Sequence, residues 1–297
     1  MTTSFRFAQP VVVAEPVAQR LADSAVGALT DEATLTPKPG LVDLRGRGAH
    51  RDLDWALMCH SAWALHPTFV AMAEAGRSEE DAQALRETIG HLGRVGEATM
   101  MHATGGVNTH RGAIWALGLL VTAAARDPTA TSRGIASRAG ELARCPDRFA
   151  PAVTINKGAM ACRRYGVAGA RGEAAANFPH VVDIALPTLR RARAAGAAEG
   201  AARVDALLAI VARLDDTCVL ARGGNAALAQ VQSGAASVLA AGGLASPAGL
   251  VAYQTYDARV LALGVSPGGA ADLLAATLFL DRLATDQQGD GYGKTRF

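Results

Sequence analysis

Apolar residues recur at three- and four-residue intervals along nearly the whole chain, and no stretch alternates apolar with polar for more than a few positions. That period predicts helices near 14–34, 53–75, 79–103, 110–125, 131–143, 151–165, 172–195, 201–213, 222–241, 247–263 and 268–284. Glycine- and proline-bearing breaks separate them at Pro37-Lys38-Pro39-Gly40, Thr104-Gly105-Gly106, Ala195-Gly196, Gly242-Gly243 and Ser266-Pro267-Gly268-Gly269. Pro187 is expected to kink or divide its helix, since proline lacks an amide donor and clashes with the preceding turn. The first thirteen residues and the tail after about Thr285 read as loosely ordered. No internal repeat appears, so the expectation is an all-α fold in a single multi-helix domain spanning 1–297.

Composition strengthens the helical reading. Half the residues are apolar but only 5% are aromatic, so the core must be built from Ala, Leu and Val rather than from strand-favouring side chains. The 29 basic and 27 acidic residues leave a net charge of +2 with no basic stripe, which argues against a nucleic-acid surface. Cys59, Cys145, Cys162 and Cys218 form no CxxC pair and read as reduced thiols of a cytoplasmic protein. No secretory signal is expected, and the most apolar run, Ala113 to Ala125, is too short to cross a bilayer.

Arginine dominates the basic residues so strongly that the exceptions stand out: the lysines are Lys38, Lys157 and Lys294. Lys38 in Pro-Lys-Pro-Gly and Lys157 in Ile-Asn-Lys-Gly sit in rigid or turning contexts that suit an ammonium on a phosphate, with retention on a solvated surface as the plainer alternative. The segment PKPGLVDLRGRGAHRDLD gathers Lys38, Asp43, Arg45, Arg47, His50, Asp52 and Asp54 on irregular backbone, a composition suited to a metal–polyphosphate site. Asp52 reads equally well as a helix N-cap, with Asp54 complementing the same helix start. Gly90, Gly93 and Gly96 each cost about 1 kcal/mol against alanine in a helix interior, so a neighbouring helix or a ligand must approach them closely. Glu97 follows them, and Asn108-Thr109-His110-Arg111 stands at the mouth of a strongly apolar helix, where free amides favour anions. Arg171 and Glu173 mark another helix start, which taken alone reads as an ordinary cap, and Gly268, Gly269 and Asp272 mark one more. The Asp215-Asp216 pair is expected to be a solvated helix end. The tail GDGYGKT imitates a phosphate-binding loop but has Gln288 where that motif requires glycine.

Taken in order, PKPGLVD…GAHRDLD, GEATM…TGGVNTHRGAIWALGLL, GARGEA and SPGGAADLL resemble the triphosphoribosyl-dephospho-CoA synthase family over about Leu29 to Leu283. The wording around Asn108–Trp115 looks more like the branch serving malonate decarboxylase; the branch serving citrate lyase tends to have Lys at the Arg111 position. The chain departs from the family wording at Asn177, where Gly usually precedes Phe-Pro, and at Leu44, where Arg is usual. The resemblance implies an all-α enzyme that joins ATP to 3′-dephospho-CoA with release of adenine. A separate transferase would then load the product onto an acyl-carrier subunit. A homodimer is compatible with the sequence, while neither nucleic acid nor membrane is an expected partner.

Displacement at the ribose anomeric carbon would pass through an oxocarbenium-like transition state. Glu97 and Asp54 are the candidate carboxylates and His110 the candidate proton donor or hydrogen-bond partner to adenine. Lys38, Arg45, His50, Asn108, Arg111, Lys157, Arg171, Glu173, Gly268 and Gly269 are the candidate substrate and phosphate contacts. Mg²⁺ is the expected cofactor, with Asp43, Asp52 and Asp272 as its shell. Two other classes stay open at this point: a Mg²⁺-dependent helical nucleotide hydrolase, and a non-catalytic scaffold for the acyl carrier.

Overall fold

A computed structural model describes residues 16–151 and 156–292, with side chains to Asp286. Among them the chain is helical throughout, with no strand beyond an isolated bridge between Asp43 and Gly46. The order is α1 (Val17–Thr34), α2 (Trp55–Ala64), α3 (His66–Ser78), α4 (Ala82–Ala103), α5 (Arg111–Arg126), α6 (Ser132–Arg144), α7 (Lys157–Tyr165) and α8 (Gly169–Ala175). A π-helical turn (His180–Ala185) then leads into α9 (Leu186–Ala194), α10 (Glu199–Val211), α11 (Thr217–Ala240), α12 (Pro247–Ala262) and α13 (Gly268–Tyr292). The residues expected to be loosely ordered at the N-terminus, and the start of the helix expected over 151–165, lie largely outside the described residues. None of the described helices is long and apolar enough to cross a membrane.

One contiguous apolar core runs through the fold. Helix α5 is its axis: every residue from Leu117 to Ala125 is buried, and α1, α3, α4, α6 and α13 surround it. Small side chains allow close approach of backbones. A Cβ on Gly76 of α3 would sit 2.5 Å from the carbonyl oxygen of Thr122 in α5, so glycine is required there. The glycines of α4 find the close neighbours their cost demanded: Gly96 meets the side chain of Thr68 on α3, and Gly90 meets the carboxylate of Asp147.

The helix expected over 53–75 is two helices. The chain breaks at Leu65, which caps both, and Pro67 opens the first turn of α3, where its missing amide donor costs nothing. Pro187 likewise stands in the first turn of α9, and the helix it was expected to kink is divided by the π-turn. Asn177, at the position where glycine is usual in the resembling family, has φ 66°, a left-handed conformation that asparagine tolerates better than most residues.

Asp216 overturns the expectation of a solvated helix end. It is buried, and its Oδ1 accepts from the amides of Cys218 (2.7 Å) and Val219 (3.3 Å) at the start of α11. Its Oδ2 accepts from the amide of Ala270 (2.9 Å) at the start of α13, so one carboxylate caps and joins two helices. Losing a cap costs about 1 kcal/mol, and each buried donor left unsatisfied costs about 1–3 kcal/mol. Asp216→Ala is therefore expected to lower the urea-unfolding free energy by about 3 kcal/mol. The same change at exposed Asp215 should stay within about 0.5 kcal/mol. Equal effects at the two positions would contradict the double cap.

Candidate active site

The loop between α1 and α2 is built around Lys38. Its ammonium is buried against Glu32 of α1, 2.5 Å from Oε1 and 2.5 Å from the carbonyl oxygen. Its backbone amide donates to Asp43 Oδ2 (2.8 Å), and its carbonyl accepts from Arg45 (3.0 Å). Arg45 also donates to Asp43 (2.9 Å) and to Asp257 on α12 (2.5 Å), so the turn is stapled to the helix beneath it. Two backbone amides and the Arg45 guanidinium together hold the Asp43 carboxyl below the usual carboxylate range against the opposing effect of burial. Lys38, expected on a phosphate, is thus an internal strut, and Asp43 and Arg45 are its braces.

Further along the loop, His50 accepts at Nδ1 from Arg222 of α11 (3.2 Å), which leaves its Nε2–H to donate to Ser266 (2.9 Å) just before α13. Burial first, and then the Arg222 charge, push the His50 imidazole down to about 4. The cap of α2 is Asp54 rather than Asp52: Asp54 Oδ1 accepts from the amide of Leu57 (3.0 Å), and its other oxygen receives Arg47 (3.3 Å). Asp52 is exposed, 4.0 Å from His50.

At the mouth of α5, Glu97 of α4 accepts from Arg111 Nε (3.0 Å), and Asn108 Oδ1 accepts from the amide of Arg111 (3.2 Å). Glu97 is 39% exposed, so the ion pair faces an open surface. His110 does not. It is 2% exposed, Nδ1 is bonded to Ser61 (2.9 Å), Ser61 is bonded to Thr109 (2.6 Å), and Nε2 has no partner among the described residues. Burial, reinforced by the Lys38 charge, holds the imidazole neutral with its pKa at about 4. A neutral buried imidazole is a poor proton donor, so of the two roles expected of it the hydrogen-bonding one suits this state.

The start of α13 abuts the start of α5: a Cβ on Gly112 would collide with the Asp272 carboxylate. Burial and the nearby carboxylates of Glu32 and Asp216 raise the Asp272 carboxyl well above its usual range, and the amide of Ala113 partly opposes them. Gly269 lies against Asp216 and Gly268 against Cys218, which leaves no room for side chains beside the α11 cap. Thr217 sits within 4 Å of where a Cβ on Gly158 of α7 would be, so the starts of α7, α11, α13 and α5 are brought into one neighbourhood. Lys157 is the exposed first residue of α7. Arg171 is exposed on α8, beside Trp115.

Two expectations need correction. Glu173 is not available to substrate: it is buried, with Oε1 accepting from the amide of His180 (2.9 Å) and Oε2 paired with the His180 ring (2.7 Å), where it caps the π-turn. The proposed metal shell does not assemble either. Asp43 is consumed by Lys38 and Arg45, Asp52 is out in solvent, and among the described residues no three His, Cys, Asp or Glu side chains converge to hold an ion.

The sequence reading missed Glu32, Ser61, Arg222 and Asp257. Glu32 carried a signal: it falls in phase with Ala25, Ala28 and Leu29, at a place where the α1 pattern calls for an apolar side chain. Arg222, directly before Gly223-Gly224, had no such signal.

Both depressed histidines have a consequence for stability. A His with a pKa near 4 when folded and 6.5 when unfolded takes up protons preferentially on unfolding, so its contribution is complete above pH 6.5 and falls with pH below it. At about 1.4 kcal/mol per unit, His50 and His110 should each cost about 2 kcal/mol by pH 5. His180, raised by its bond to Glu173, works in the opposite direction. The melting temperature should drop from pH 7 to 5, and His110→Gln should flatten that drop. An unchanged slope in the variant would contradict the buried neutral imidazole.

Comparison with known proteins agrees with this arrangement of motifs. Residues 18–290 match the family model described as CitG: ATP:dephospho-CoA triphosphoribosyl transferase. The chain is 59% identical over 265 residues to the 2-(5″-triphosphoribosyl)-3′-dephosphocoenzyme-A synthase of Klebsiella pneumoniae, covering 89% of this chain and 94% of the relative. It is 60% identical over 269 residues to the probable synthase of that name from Azotobacter vinelandii, covering 90% and 92%. No solved structure matches. A match across nearly the whole length places the chain in the ATP:dephospho-CoA triphosphoribosyl transferase family.

Proposed function

We propose that this protein transfers the triphosphoribosyl group of ATP to the 2′-hydroxyl of 3′-dephospho-CoA, releasing adenine. The observation that carries the reading, beyond family membership, is the Glu97–Arg111 pair: a solvent-accessible carboxylate near the end of α4, held by the first residue of α5. In this reading the 2′-oxygen forms a bond to the ribose C1′ as the bond from C1′ to adenine breaks. Glu97 accepts the hydroxyl proton and its charge stabilises the cationic ribose. Adenine takes up a proton, which we assign to Asp272, the carboxyl that burial, Glu32 and Asp216 raise well above its usual range beside the start of α5. His110 instead positions Ser61 and Thr109 from behind.

The triphosphate stays intact and serves as a handle. Arg47, Arg51, Arg222 and Lys157 are the exposed cations near the loop and the adjoining helix starts, and ATP entering as its Mg²⁺ complex brings its own ion. The wording around Asn108–Trp115 favours the acyl carrier of malonate decarboxylase as destination, reached through a separate transferase. A nucleotide hydrolase would instead use water as acceptor and give no coupled product.

Incubating the protein with MgATP and 3′-dephospho-CoA should yield adenine and an adduct carrying the whole triphosphoribosyl group, read by mass spectrometry. Phosphate release, or adenine without the adduct, would overturn the assignment. Glu97→Gln should lower kcat by about 10²-fold or more while leaving ATP affinity within threefold. Equal loss of both would remove Glu97 from the chemistry.

A further inference from the structure

A second basic cluster gathers where α4 and α8 flank Trp115 of α5, one helical turn beyond Arg111. Arg86 of α4 is buried, with its side chain 8% exposed, yet its closest carboxylate oxygen, Asp147 Oδ2, is 3.8 Å away. Its Nε has no hydrogen-bond partner among the described residues. Asp147 is more closely engaged by Arg94 (2.7 Å). Arg171 of α8 reaches the same place and makes no ion pair among the described residues. The guanidinium carbons of Arg86 and Arg171 lie 5.2 and 5.9 Å from the ring centroid of Trp115.

Arg86 and Arg94 therefore share one carboxylate and Arg171 brings a third positive charge close to Arg86, an excess of two among these four groups, with Arg86 taken out of water. Burial and the charges of Arg171 and Arg94 press the Arg86 pKa downward, with only Asp147 and Cys145 opposing. An uncompensated buried cation costs several kcal/mol, and an unpartnered N–H beside it adds to that. Both penalties are relieved by an anion bearing two charges. The Trp115 indole is fixed by its bond to the carbonyl of Ala170 (3.1 Å), and its ring remains partly exposed, a flat apolar surface beside the cations.

We propose that Arg86 and Arg171 beside Trp115, with Arg94 on the neighbouring Asp147, bind the pyrophosphate diester of the acceptor nucleotide, 3′-dephospho-CoA, and not the triphosphate of ATP. The proposal rests on the transfer reading above and assigns the two substrates to opposite sides of Glu97. Trp115 follows Arg111 by one turn, about 5.4 Å along the axis, close to the span between a nucleotide's 2′-hydroxyl and its 5′-pyrophosphate. The doubly charged pyrophosphate matches the local excess, whereas the more highly charged triphosphate matches the open set formed by Arg47, Arg51, Arg222 and Lys157.

The test is calorimetric titration of the full-length protein with 3′-dephospho-CoA and with ATP separately, so that no turnover intervenes. Arg171→Gln, at an exposed position, should weaken dephospho-CoA binding at least tenfold and leave ATP within twofold, and Arg222→Gln should show the reverse. Arg94→Gln carries the same expectation should the Arg171 variant not fold. Equal loss for both ligands, or no loss for either, would overturn the proposal, since a merely structural role for the cluster does not discriminate between substrates. If the unaltered protein still makes the coupled product while the Arg171 variant keeps full dephospho-CoA affinity, this inference falls and the transfer reading stands. An unaltered protein that binds ATP but never dephospho-CoA would overturn both.

Discussion

The interaction on which the site depends is the buried ion pair between Lys38 and Glu32. An ammonium inside a core of Ala, Leu and Val is tolerable only with a carboxylate and further hydrogen bonds at close range, and removing one partner from such a pair costs about 3–5 kcal/mol. Here the ammonium has the Glu32 carboxylate and the Glu32 carbonyl, while the backbone of Lys38 engages Asp43 and Arg45. The rest of the loop follows from that anchor. Arg45 reaches Asp257 on α12, and His50 reaches Ser266 and Arg222, so one irregular segment is fastened to three helices before any ligand arrives. Such rigidity suits a reaction in which two nucleotides must be held in line and the protein supplies mainly orientation and charge.

A second constraint is how the helix starts are satisfied. Asp216 occupies those of α11 and α13, and Asp272 stands at that of α5. Both carboxyls are pushed upward by burial despite the amides that favour their charge, a conflict that small glycines at 112, 268 and 269 make sterically feasible. The acids thus knit the helix starts together, while the arginines of the loop and α11 stay exposed.

Much of this was legible in the sequence, because helix periodicity and punctuation are local properties. The element order, the Gly-rich breaks and the adjacency of the PKPG loop, the Asn108–Arg111 segment and the Ser266–Asp272 segment to one site all follow from pattern. The scarcity of lysine correctly marked Lys38 as special, yet pointed to the wrong partner. Which acid a buried cation meets is a long-range packing outcome, and the apolar phase of α1 was the one hint toward Glu32. Asp216 shows the same limit from the other side. Two adjacent acids at a helix start look solvated until a second helix start is brought against one of them. The expected metal shell failed for a related reason, since Asp43 is already neutralised by the turn it holds and Asp52 points away from it.

The most direct test of this account is a crystal structure with MgATP bound in the absence of acceptor. The triphosphate is expected beside Ser266 and Arg222, against the loop bearing Arg47 and Arg51, with the ribose C1′ turned toward Glu97. A triphosphate seated instead over Trp115 and Arg171, or anywhere far from Glu97, would contradict it.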